Sequence, residues 1–125
     1  MSILKITGTV MGPMSGHFKP LMKTFSEVFE RATGEKLIPG TVNVNVGTQI
    51  KIKEDFRIPA SDLDGGEQDL LFERCRIDGI PAYRLRRCNP LTNEEGHGDH
   101  ILEISSSACI PSNSPGSRVT IEFFR

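Results

Sequence analysis

Tryptophan is absent from this 125-residue chain, tyrosine occurs once and cysteine three times. Cys75, Cys88 and Cys109 are odd in number and show no Cys-x-x-Cys spacing. That argues against a disulfide framework or a cysteine-rich zinc centre, and for reduced thiols in a cytoplasmic protein. No apolar run approaches the roughly 20 residues needed to span a bilayer. The N-terminus lacks the charged-then-apolar order of a signal peptide, so no membrane partner is expected. Neither sign of charge dominates, with 15 Lys and Arg against 16 Asp and Glu. Without a broad cationic field, nucleic acid is not an expected partner. Repeats and low-complexity linkers are also missing. What remains is an ordinary globular composition over residues 1–125, one domain large enough to bury its own core.

The chain is organised around Pro39-Gly40-Thr41-Val42-Asn43-Val44-Asn45-Val46. Pro39 and Gly40 are turn residues, and the next six alternate strictly. In a strand this sets Val42, Val44 and Val46 on one face and Thr41, Asn43 and Asn45 on the other. Asparagine is depleted in strands, so two at alternate positions ask for a reason. A row of neutral oxygen-bearing side chains suits a hard cation such as Mg²⁺, or hydroxyls and phosphates. The plain alternative is the solvated face of an edge strand.

Before this stretch, Ile3 to Val10 reads as a strand, with Gly8 marking a close approach. Gly12 and Gly16 then frame a loop ahead of a helix. Such a loop can offer backbone N–H groups to phosphate, but no Gly-Lys-Ser/Thr follows, and the bare pattern reads first as an ordinary connecting loop. Pro20 to Thr33 predicts one amphipathic helix, its apolar stripe running through Leu21, Met22, Phe25, Val28, Phe29 and Ala32, with Gly34 as its C-terminal cap.

After it, Gln49 to Ile52 reads as a short strand or an extension of the previous one, and Glu54 to Gln68 as irregular surface. Asp78-Gly79 between Asp69–Ile77 and Ile80–Arg87 predicts a hairpin that sets Glu73 opposite Arg84 and Arg74 opposite Tyr83. Arg84, Arg86 and Arg87 are read as a solvated strand face, with phosphate contact as the alternative. Cys88 to Asp99 is a polar loop, and His97, Asp99 and His100 within and beside it do not make a convincing zinc set. His100 to Ser106 and Arg118 to Phe124 complete the strands. With about six strands and one helix, the expected fold is mainly β, a small closed barrel with one packed α-helix, since closure removes exposed edges.

The order of strand, glycine loop ending in Gly16, helix, Pro39-Gly40-Thr41-Val42-Asn43-Val44, and then His97 and Leu102-Glu103-Ile104 resembles the archaeal-type CTP-dependent riboflavin kinases. The resemblance covers most of the chain. It implies a six-stranded cradle-loop barrel and phosphoryl transfer from CTP to the 5′-hydroxyl of riboflavin, giving FMN and CDP. It assigns Mg²⁺ to Thr41 and Asn43, and the nucleotide phosphates to Gly12 and Gly16. Glu103 falls on the family's glutamate at the ribityl and phosphate region. There it would contact substrate and orient the hydroxyl or take its proton. Thr92 is the threonine nearest the family's flavin-contacting position before His97. Where the family has a Leu-Arg pair near the nucleotide base, this chain reads Ala108-Cys109-Ile110-Pro111, which leaves the donor nucleotide open. The alternative is a non-catalytic barrel of the same fold that binds a small molecule or nucleotide.

Overall fold

A computed structural model describes residues 2–12, 16–63, 66–89, 91 and 98–125. The described residues form seven strands: β1 (Ile3–Val10), β2 (Val42–Asn45), β3 (Phe56–Ile58), β4 (Asp69–Ile77), β5 (Ile80–Cys88), β6 (Ile101–Ser105) and β7 (Arg118–Phe124). The order β4-β5-β6-β2-β1-β7 closes through a β4–β7 pairing into a six-stranded antiparallel barrel. Long β4 makes the closure possible by dividing one edge between two partners. Its Leu70–Phe72 half pairs with β3, and its Cys75–Ile77 half pairs with β7.

Strand alternation fills the barrel. Val10, Val44, Ile77, Leu102, Ile104, Val119, Ile121 and Phe123 form one apolar interior. Gly8 is needed on β1 because a Cβ there would stand 2.6 Å from Val44 Cγ1 and 2.8 Å from the Asn45 carbonyl oxygen. The β4–β5 hairpin turns on Asp78 (φ 48°) and Gly79 (φ 81°), the left-handed pair that a two-residue type I′ turn requires. Its register sets Glu73 opposite Arg84 and Arg74 opposite Tyr83, as the Asp-Gly turn predicts.

A second apolar cluster lies outside the barrel, over β4 and β5. There α1 (Phe18–Thr24) and α2 (Ser26–Thr33) pack Phe18, Met22 and Phe29 against Leu70, Phe72, Tyr83 and Leu85. Phe72 is stacked on Phe56 at 4.7 Å and meets Phe29 edge-on at 6.0 Å, which locks β3 and α2 to the same patch. The helical segment expected as one run is broken at Phe25 (φ −110°, ψ 34°). The Phe25 N–H still donates to Leu21 O, and the Phe29 N–H to Phe25 O, so few backbone bonds are lost. The bend lets Phe18, Met22 and Phe29 all reach one curved surface, which a straight helix of that length would leave at one end. Gly34 caps α2 in the left-handed conformation (φ 77°), as expected.

Three readings need correction. Residues 49–52 form no strand. Strand β3 and a 3-10 turn, Ala60–Asp62, instead occupy the region expected to be irregular. With three residues before Pro59, β3 is too short to show a period, and it is held by pairing to β4. The arginines of β5 are not a solvated face. Arg84 is 0 % exposed and Arg86 3 %, both on the inner side with Ala82. They close one end of the barrel with buried Glu73, which accepts from the Lys53 N–H and, through both oxygens, from the Arg125 guanidinium. Arg84 donates to Ile50 O at 2.6 Å, and Arg86 Nε stands 3.1 Å from Asp99 Oδ1. Burial and neighbouring Arg86 push the Arg84 pKa down to about 10, so it remains a cation at neutral pH. Arg87 points outward and stacks over the Phe18 ring at 4.9 Å.

Among the described residues, no helix is long and apolar enough to cross a membrane.

Candidate functional site

The turn at Gly40 (φ 107°) delivers the chain into β2, and alternation does the rest. Val44, 0 % exposed, points into the barrel, while Asn43 points out. Strand β6 runs beside β2 with Asn43 paired to Glu103 and Val42 to Ile104. Glu103 therefore lies on the same outer face as Asn43, as the alternation of Leu102 and Ile104 requires, and on the other side it is paired with Leu85 of β5. Directly opposed residues have Cβ atoms about 4.5–5.5 Å apart, so the amide and the carboxylate can reach a common ligand. Thr41 precedes Val42 and Ser105 follows Ile104, so the two flank the last register pair of the β2–β6 ladder.

The Thr41 hydroxyl donates to Asn43 Oδ1 at 3.3 Å. Asn43 is only 7 % exposed, so the polar row is not a freely solvated edge; Glu103 and Thr41 are half-buried. The oxygen pair suits Mg²⁺ in kind and in spacing. Around an octahedral ion with bonds of about 2.1 Å, neighbouring oxygens lie roughly 3 Å apart, so closing by a few tenths of an ångström suffices. Glu103 adds an anionic oxygen on the adjoining strand.

Gly12 follows directly on the residue whose N–H donates to Asn43 O, Met11, at 2.8 Å. The glycine loop therefore departs from the edge of the Asn43–Glu103 pair. A Cβ on Gly12 would meet nothing within 4 Å, whereas Gly16 needs its glycine for a φ of 70°. Thr92 lies outside the described residues, as do Met14, Ser15, Glu95 and His97. Asp99 is engaged with Arg86, and His100 Nδ1 with Gln49 Nε2 at 3.2 Å, so these two do not converge on a metal. Among the described residues, no group of three or more His, Cys, Asp or Glu could hold one.

A cavity of about 310 Å³ opens alongside Thr41, between α1, β2, the end of β6 and the following turn. Lys19, Thr41, Ser105, Ser106, Cys109 and Asn113 supply its polar wall, and Ile38, Val42, Ile104 and Ile110 its apolar one. A larger recess of about 530 Å³ lies beside α2 over Met22, Phe29 and Leu37, but its rim carries Lys23, Lys36, Glu27 and Glu30 with no converging set. Period two sets Ser105 on the face of Glu103, but the run Ser105-Ser106-Ser107 hides which serine matters in the sequence.

No protein-family model and no curated protein matches this chain.

Proposed function

We propose that this protein is a Mg²⁺-dependent phosphotransferase that moves a phosphoryl group from a nucleoside triphosphate to the 5′-hydroxyl of riboflavin, giving FMN. CTP is the donor that the resemblance implies. The observation that carries this reading is the pairing of Asn43 with Glu103, beside Thr41, on an outward face of the barrel. Thr41 and Asn43 would hold the ion, which when bound neutralises charge on the phosphate oxygens. In the transfer, the riboflavin oxygen bonds to the terminal phosphorus and the bond to the β-phosphate oxygen breaks. The hydroxyl proton passes to Glu103, and the nucleoside diphosphate leaves. Such chemistry needs position and charge neutralisation more than covalent help, which a few fixed oxygens can provide. Cys75, Cys88 and Cys109 form no disulfide, which fits a reducing cytoplasm.

A second reading has its own support. Asn43 is 7 % exposed and its Oδ1 already accepts from the Thr41 hydroxyl, which suits a binding barrel that holds its ligand without transfer. Calorimetric titration with riboflavin, FMN, CTP, CDP and ATP, each with and without Mg²⁺, separates the two, together with mass detection of FMN after incubation. Flavin and Mg²⁺-dependent nucleotide binding with FMN formed is the expected result. Flavin binding without nucleotide would replace the kinase by the binding barrel.

A further inference from the structure

The outer surface of the β4–β7 seam carries two arginines whose charge the chain leaves unanswered. Arg74 and Arg76 are alternate residues of β4, so both point away from the interior that Cys75 and Ile77 help to fill. Each guanidinium lies over an aromatic ring, Arg74 over Phe56 at 5.1 Å and Arg76 over Phe124 at 4.7 Å. Among the described residues, neither guanidinium makes a hydrogen bond or an ion pair. Glu122 stands opposite Arg76 in the register without closing on it. The nearby Glu35 carboxylate is already engaged, accepting at one oxygen from Tyr83 and at the other from Ser107. A ring under the flat face of a guanidinium fixes its plane and leaves the N–H edge free, the edge that meets a carboxylate in a bidentate contact.

A hollow of about 210 Å³ lies beside the two arginines, walled by Pro81, Tyr83 and Phe124. It is smaller than the roughly 300–1,000 Å³ of a small-molecule pocket, and suits a single apolar side chain. Ile3, 53 % exposed, is the register partner of Phe124 and extends the apolar margin. Arginines interleaved with aromatic rings are the composition of contact hot spots. In the closed order β4-β5-β6-β2-β1-β7, the β4–β7 seam is diametrically opposite the β2–β6 seam that carries Asn43 and Glu103. A partner held here leaves that site open.

We propose that this face docks an extended acidic segment of a partner protein, with carboxylates on Arg74 and Arg76 and an apolar side chain in the Tyr83 hollow. The spacing selects the partner's form. Alternate residues of a strand stand about 6.6–6.8 Å apart, so an extended segment with acidic residues at alternate positions matches the two arginines in step. Charge selects its sign. A second copy of this chain would bring guanidinium against guanidinium across a two-fold axis, which like charge opposes. The docking face does not depend on the phosphotransferase reading.

The probe is the blocked peptide Leu-Thr-Glu-Thr-Glu-Thr-Leu, which sets both glutamates and a leucine on one face whichever way it runs. It has no aromatic residue, so tyrosine fluorescence reports Tyr83, the chain's one tyrosine, in the hollow itself. Calorimetry gives the affinity. The peptide should bind one to one and change the Tyr83 emission. Glutamine in place of both glutamates should abolish binding, and serine in place of both leucines should weaken it about tenfold, the loss of one buried apolar side chain. Arg74→Gln and Arg76→Gln should each weaken it about tenfold, the loss of one charge-assisted contact, with melting temperatures close to the parent's. Arg118→Gln should change nothing, because that exposed arginine is spent on the Thr7 and Thr9 hydroxyls. No binding at millimolar peptide would overturn the proposal, as would equal binding of the glutamine peptide or an equal loss in Arg118→Gln. Displacement of the peptide by inorganic phosphate, but not by sodium chloride at the same ionic strength, would assign the arginines to a free anion instead. A dimer in sedimentation that Arg76→Gln dissociates would assign the face to a second copy.

Discussion

Asn43 and Glu103 are register partners across the β2–β6 ladder, both directed away from the barrel interior, with Leu85 closing the far side of Glu103. An amide and a carboxylate so paired are held by two strands whose inward residues, Val44, Leu102 and Ile104, are at most 1 % exposed. The rigidity comes from the core, and the chemistry is on the opposite face.

Glu103→Gln keeps that shape and removes the charge. Turnover of riboflavin to FMN should fall by about 10²–10⁴-fold, the usual contribution of a positioned general base. The melting temperature should stay close to that of the parent, because the side chain lies outside the core. Parallel losses of activity and stability would mean that Glu103 serves the ladder and not the substrate.

Asn43→Ala should remove Mg²⁺-dependent nucleotide binding in calorimetry. Thr41 would lose the acceptor of its hydroxyl, but it is half-buried and water can replace the amide. The expected thermal cost is therefore a few degrees, corresponding to about 1 kcal/mol. Nucleotide affinity that is unchanged with Mg²⁺ present would return Asn43 to a structural role.

Gly8→Ala tests the closure of the barrel. Its new Cβ would meet Val44 Cγ1, the Asn45 carbonyl and Val46 Cγ1, all at under 3 Å. Overpacking of this kind costs about 1–3 kcal/mol, read as a lower denaturation midpoint with an unchanged slope. Gly12→Ala, where a Cβ meets nothing within 4 Å, should leave the midpoint alone. Equal midpoints for both variants would mean that β1 and β2 can separate at no cost.

Much of this fold follows from short-range rules. Val42 and Val44 alternate with Thr41 and Asn43, and Leu102 and Ile104 with Glu103, so the outward row could be read before any pairing was known. Asp78-Gly79 set the hairpin register for the same local reason. The arginines could not be read this way. Arg84-Leu85-Arg86 looks like charge outward around one apolar residue, yet closure of the barrel reverses the faces. The end of the interior is then filled by Glu73, Arg84 and Arg86 while Leu85 supports the helices. The break at Phe25 carries no proline or glycine signal, because it answers the curvature of the surface beneath. Ser105 and Lys19 became visible only when β6 and α1 were brought to one cavity.

Tyr83 allows a test of the outer cluster that is independent of any ligand. It is the chain's one tyrosine, and there is no tryptophan, so near-ultraviolet phenolate absorbance reports it alone. The ring sits in the cluster against Phe72, and its hydroxyl donates to Glu35, whose other oxygen accepts from Ser107. Burial first, and then this carboxylate, push the phenol pKa up from the usual 10 to about 12. Between those values the unfolded chain has released the proton and the folded one retains it. The folded state then binds more protons, so stability must fall as pH rises through that window, and the contribution is complete below pH 10. The difference in unfolding free energy between the parent and Tyr83→Phe should shrink across the same window, which cancels the titration of lysines common to both. A native-state phenolate midpoint near 10 would mean that water reaches the hydroxyl, and that the Glu35–Tyr83 bond does not tie the end of α2 to β5 in solution.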